Sequence, residues 1–206
     1  SPIPPPNIGN DTMAKGKGDI ILRDRLEFTT TAATGNVSLV YGRVDLSDYV
    51  SIVKNEGLAI KEVRFQFRVP SDDEEFPIWL NTGDLGTIPA NTVQQSDLTA
   101  FATTTAYELA RDVGIASPNV LCMYSHQSTV TASGNFDYRI TGYGTPDLHP
   151  EGFDVVTDLL VGVFGNNLQN LRLVNSTLEL DIMIIAEPKK ITQKDLTQML
   201  TQAQDL

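Results

Sequence analysis

The sequence predicts an all-β sandwich, and three observations predict it. The first is Val63-Arg64-Phe65-Gln66-Phe67-Arg68-Val69, with Val63, Phe65, Phe67 and Val69 on one face and Arg64, Gln66 and Arg68 on the other. That period of two belongs to a strand with one face buried and one in solvent. The second is recurrence: similar runs follow one another almost to the C-terminal end, roughly eight to ten strands, set apart by Gly, Pro, Asn and Asp. The third is that no repeat of fixed period is present, which argues against a propeller or solenoid. A jelly roll or related Greek-key sandwich is the architecture that fits.

Residues 1–18 read as an extended N-terminal arm. Pro2, Pro4, Pro5 and Pro6 favour a polyproline conformation, and Gly9, Gly16 and Gly18 add freedom. The sandwich is expected over 19–188 and a helical tail over 189–206. Within the sandwich, Ile20–Phe28 is the first strand, with Ile20, Leu22, Leu26 and Phe28 on one face and Asp24 interrupting it. Val37–Tyr41, Val44–Val53 and 60–69 are the next strands, the last stopped by Pro70. A short strand Phe76–Leu80 follows an acidic loop, and Asn81–Asn91 reads as a loop. Leu98–Leu109 is compatible with strand at Thr103-Thr104-Thr105 and with a helical turn after Ala106. Val120–Val130 and Phe136–Tyr143 form a hairpin around Ala132-Ser133-Gly134-Asn135. Val155–Phe164 is a buried strand, Gly165-Asn166-Asn167 a turn, and Leu171–Ile185 the last strand or strand pair. Its end, Ile182–Ile185, is apolar on both faces and predicts full burial. The tail has a helix start signal: Thr192 as N-cap, Asp195 three residues on, and Ile191 with Leu196 as a hydrophobic staple. Leu196, Met199, Leu200 and Ala203 make one apolar stripe. Such a helix packs on its own domain or, on a sharper reading, docks on another subunit.

A chain of 206 residues fits one β domain, buries about 70% of its unfolded surface, and needs no disulfide or metal on grounds of size. Net charge is -11, which opposes generic binding to a phosphate backbone. With Cys122 the only cysteine, no internal disulfide forms, and its apolar run Val120–Tyr124 predicts a buried small hydrophobe. The N-terminal sequence carries no basic region followed by an apolar core, so no signal peptide is expected, and no stretch is long and apolar enough to span a membrane.

Few residues assemble into chemistry. The two histidines, His126 in a strand and His149 in a loop, lack an H-E-x-x-H or a G-x-S-x-G partner motif. His126 is expected on a strand's polar face and His149 in solvent. Cys122 and His126 share a strand face but lie about 13 Å apart, too far for proton transfer. Asp72, Asp73, Glu74 and Glu75 are the candidate metal ligands, through carboxylate oxygens, although the spaced D-x-D-x-D-G loop is absent and a solvated loop is the plainer reading. Lys15, Lys17, Arg23 and Arg25 are the candidate nucleic-acid contacts, diluted by Asp19, Asp24 and Glu27. No cofactor motif and no catalytic set is found, so no enzyme activity is expected.

The extended start Ala14-Lys15-Gly16-Lys17-Gly18-Asp19, the strands Ile20–Phe28 and Val63–Val69, and the closing strand Leu178–Ile185 together resemble a single jelly-roll viral capsid protein. The resemblance spans nearly the whole chain and is one of pattern. It implies a structural subunit of a virion that self-assembles into an icosahedral shell, with copies of itself and other virion proteins as partners. Members of that family often carry an Arg-rich arm; this one has only Lys15 and Lys17, so contact with nucleic acid is expected to be weak or indirect. The alternative is a carbohydrate-binding or adhesion sandwich, including a spike or minor capsid component, with Trp79, Tyr107, Tyr124 and Tyr143 as its aromatic platform.

Overall fold

The computed structural model describes residues 18–31, 35–69, 78–79, 93–131, 136–143, 152–168 and 175–204. Ten strands and one helix follow in order: β1 Ile20–Thr29, β2 Val37–Val44, β3 Glu56–Val69, β4 Ile78–Trp79, β5 Val93–Thr103, β6 Val120–Thr131, β7 Phe136–Tyr143, β8 Phe153–Val155, β9 Leu159–Asn166, β10 Thr177–Lys190 and α1 Gln193–Gln204. The strands form two antiparallel sheets. The first has the order β1-β10-β3-β4, with β8 also pairing β3; the second has the order β2-β9-β5-β6-β7.

The alternation seen in the sequence is what separates core from solvent. On β3, Val63 and Phe67 are buried while Arg64 and Gln66 are exposed. Facing β3 and β10 across the sandwich are Leu98, Ala100 and Ala102 of β5 with Val161 and Val163 of β9, all fully buried. The second sheet is covered on its outer face as well. Phe101 is 0% exposed there, edge-on to Tyr41 at 5.8 Å. The Tyr41 hydroxyl accepts the Tyr107 N–H at 2.7 Å and donates to the Tyr107 carbonyl at 3.0 Å, fastening the 104–119 segment over that ring.

Several expectations change in detail. Residues 44–53 do not continue as a strand: after Val44 the chain turns, because Asp158 accepts the Leu46 N–H at 2.9 Å and draws the fully buried Leu46 inward. Asp158 also pairs with Arg43. The expected strand 155–164 is interrupted over 156–158, and its two parts, β8 and β9, lie in different sheets. β3 begins at Glu56 rather than 60, after a turn that puts Asn55 at φ 55. Of the ambiguous 98–109, residues 98–103 are the end of β5 and 104–109 are irregular; a short 3-10 turn follows at Ala110–Asp112. Gly165 and Asn166 extend β9, and the turn falls on Asn167 at φ 58. Full burial of Ile182–Ile185 does not hold: within that run only Ile182 and Ile184 are buried, and Met183 and Ile185 are half-buried on the outer face.

The tail follows its start signal closely. The Thr192 hydroxyl accepts the Asp195 N–H at 3.1 Å, the capping bond expected of an N-cap. Ile191 and Leu196 are buried together with Val156, and Met199 and Leu200 pack on that cluster. The helix thus lies on the connection between β8 and β9 of its own chain. Among the described residues no helix is long and apolar enough to cross a membrane.

Candidate functional site

The most developed polar constellation lies between the sheets, at the β6–β7 end. Tyr124, His126 and Ser128 alternate onto the inner face of β6. His126 is buried, a correction to its expected place on the polar face. The reason is that both faces of β6 carry polar residues, so alternation does not reveal which one turns inward. Its Nε2 lies 2.9 Å from the Tyr124 hydroxyl and its Nδ1 lies 2.6 Å from the Tyr138 hydroxyl of β7. Phe67 of the opposite sheet stands edge-on to the imidazole at 5.3 Å. Burial pushes the His126 pKa down to about 4, so the ring is neutral at pH 7 and its two nitrogens hold two tyrosine hydroxyls. Burial also raises the pKa of both tyrosines. This network ties β6, β7 and β3 together.

A second constellation covers the outer face of the first sheet. The register sets Arg25 opposite Asp181, and Asp181 opposite Gln66. Arg25 Nε reaches Asp181 at 2.6 Å, and Arg68 Nε reaches the buried Glu179 at 2.5 Å. Arg25 and Glu179 are 3.7 Å apart, and Arg68 and Asp181 are 3.8 Å apart, closing a four-membered network. The hydrogen bond from Arg25 to Asp181 raises the arginine pKa, holding it charged. Arg25 is therefore neutralised within the sheet. Arg23 sits two register pairs along, on the same face and opposite Met183, which in turn faces Arg64.

Of the candidate nucleic-acid contacts, then, Arg23 and Arg25 share the outer face of β1, and Lys15 and Lys17 lie outside the described residues. The acidic candidates Asp72, Asp73, Glu74 and Glu75 also lie outside them, as does His149. Among the described residues no three His, Cys, Asp or Glu side chains gather closely enough to hold a metal ion. Cys122 is buried, as its apolar run implies. Of the platform tyrosines, Tyr124 is inside, against Phe65 and Phe67, while Tyr143 is exposed at the end of β7. Sequence reasoning missed the Tyr124–His126–Tyr138 network and the partners Glu179 and Asp181. The available signal for the first was Tyr124 and His126 two residues apart on a predicted strand.

No protein-family model matches the chain, and no curated protein does. Among solved structures, one of Desmodium yellow mottle tymovirus is similar over 94% of this chain and 96% of its own, at 12% identity and a TM-score of 0.32.

Proposed function

We propose that the chain is a structural subunit of a viral capsid, a single jelly roll that self-assembles into an icosahedral shell. The observation that carries this reading is the strand order. β1-β10-β3, with β8 on the far side of β3, lies over β2-β9-β5-β6. Successive strands switch between sheets except at β5–β6 and the short or appended β4 and β7, an order that supports two Greek keys rolled into facing sheets. Capsid subunits and lectins both use that roll, so the site must discriminate. The inner polar residues here are turned to one another, and the tyrosines offered for a sugar platform are divided between interior and surface. That division supports a scaffold over a sugar-binding module.

Size-exclusion chromatography with light scattering, followed by electron microscopy of the purified chain, tests the reading. Symmetric particles or defined rings are expected. A strictly monomeric species across pH and salt overturns it, and glycan binding by that monomer supports the adhesion alternative. Deletion of residues 1–18 is expected to weaken assembly more than folding.

A further inference from the structure

We propose that the outer edge of β7 is a two-fold contact surface that pairs antiparallel with β7 of a second copy, centred on Tyr138. The inference rests on the self-association half of the reading above and not on the shell. β7 pairs with β6 on one side, and no described strand pairs with it on the other. Its backbone N–H and C=O groups along that side form a template for another strand. Edges are usually blunted by Pro, Lys or an inward charge. β1 carries such a charge in Asp24, on the face of Leu22 and Leu26. β7, Phe136-Asp137-Tyr138-Arg139-Ile140-Thr141-Gly142-Tyr143, has no Pro, no Lys and no inward charge, and leaves Ile140 50% and Tyr143 45% exposed.

The charges choose the partner and the register. Asp137 and Arg139 are exposed on the same, outer face, and neither is ion-paired to a described residue. A two-fold axis perpendicular to the sheet keeps inner faces with inner faces, so it must lie midway between a residue of β7 and the same residue of the copy. Centring on Asp137 or on Arg139 sets like charges opposite one another. Centring on Tyr138 sets Asp137 of each copy opposite Arg139 of the other, twice. The same register places Ile140 opposite Phe136 of the copy. Opposite-charge and apolar cross-strand pairs stabilise antiparallel sheets, and like charges oppose them. A single strand edge is thus self-complementary in one register, as a closed two-fold contact requires.

Charge exchange in the full-length chain tests this, with dimerisation measured by sedimentation at concentrations where micrographs of the same samples show no particles. Asp137→Arg and Arg139→Asp are each expected to weaken self-association roughly tenfold or more, since each single change places two like pairs across the axis. Mixing the two variants restores both opposite-charge pairs, so the mixture is expected to dimerise like the wild type. The double exchange Asp137→Arg with Arg139→Asp is expected to do so alone. Circular dichroism checks that each variant is folded, and the double exchange supplies the reading if a single variant is not. A monomeric wild type, single variants that dimerise as before, or a double exchange and a mixture that fail to recover each overturn the proposal.

Discussion

Acid should destabilise this protein in part through one buried residue, His126. Its pKa falls from an ordinary 6.5 to about 4 on folding, because the ring leaves water for the space between Phe67, Tyr124 and Tyr138. The unfolded chain therefore binds the proton more tightly than the folded one. The stabilising neutral form is fully favoured above pH 6.5, and its contribution is lost as the pH falls from there through about 4. Linkage between those two values gives a loss of about 2 kcal/mol by pH 5 and about 3 kcal/mol by pH 4, relative to pH 7.5. A His126→Gln variant cannot titrate there. It should be less stable than the wild type at pH 7.5, since Tyr124 and Tyr138 lose their partner, but its stability should fall less steeply. Urea unfolding followed by circular dichroism from pH 7.5 to pH 4.5 measures both curves, and carboxylate titrations common to the two cancel in the difference. Curves that stay parallel over that range would refute the reasoning.

Two further outcomes follow from packing. A Cβ at Gly162 would lie 2.3 Å from the Phe101 ring, which is fully buried and held by Tyr41, so Gly162→Ala should cost about 1–3 kcal/mol by overpacking, read as a lower midpoint in urea. Thr192→Ala should cost about 1 kcal/mol by removing the cap bond to Asp195, and Leu196→Ala about 2–3 kcal/mol by emptying the small cluster with Val156 and Ile191; hydrogen exchange should quicken in α1 before it does in β3.

Where hydropathy contrast is strong, the sequence is legible. β3 alternates over 63–69 and β1 does so but for Asp24, which places both to within a few residues, and Thr192 with Ile191 and Leu196 announces the helix and its packing face. Where both faces carry similar residues, legibility fails. β6 offers Tyr124, His126 and Ser128 on one face and Ser125, Gln127 and Thr129 on the other, and no local rule says which trio meets Phe67. The turn after Val44 was likewise hidden, because its cause is Asp158, 112 residues from the Leu46 amide it binds. The charge ladder on the first sheet has the same origin: Arg25 finds Asp181 across 156 residues of chain.

The sequence by itself determined the strands as a class, the burial of β3 and Cys122, and the capped tail, since these follow from period, residue volume and nearest neighbours along the chain. Only the tertiary structure decided which strands pair. That order placed His126 between two tyrosines, neutralised Arg25 against Asp181, and left β7 at an edge with Asp137 and Arg139 exposed. Pairing is set by contacts between residues far apart in the chain, and the energy of any one of them is invisible until the others have formed.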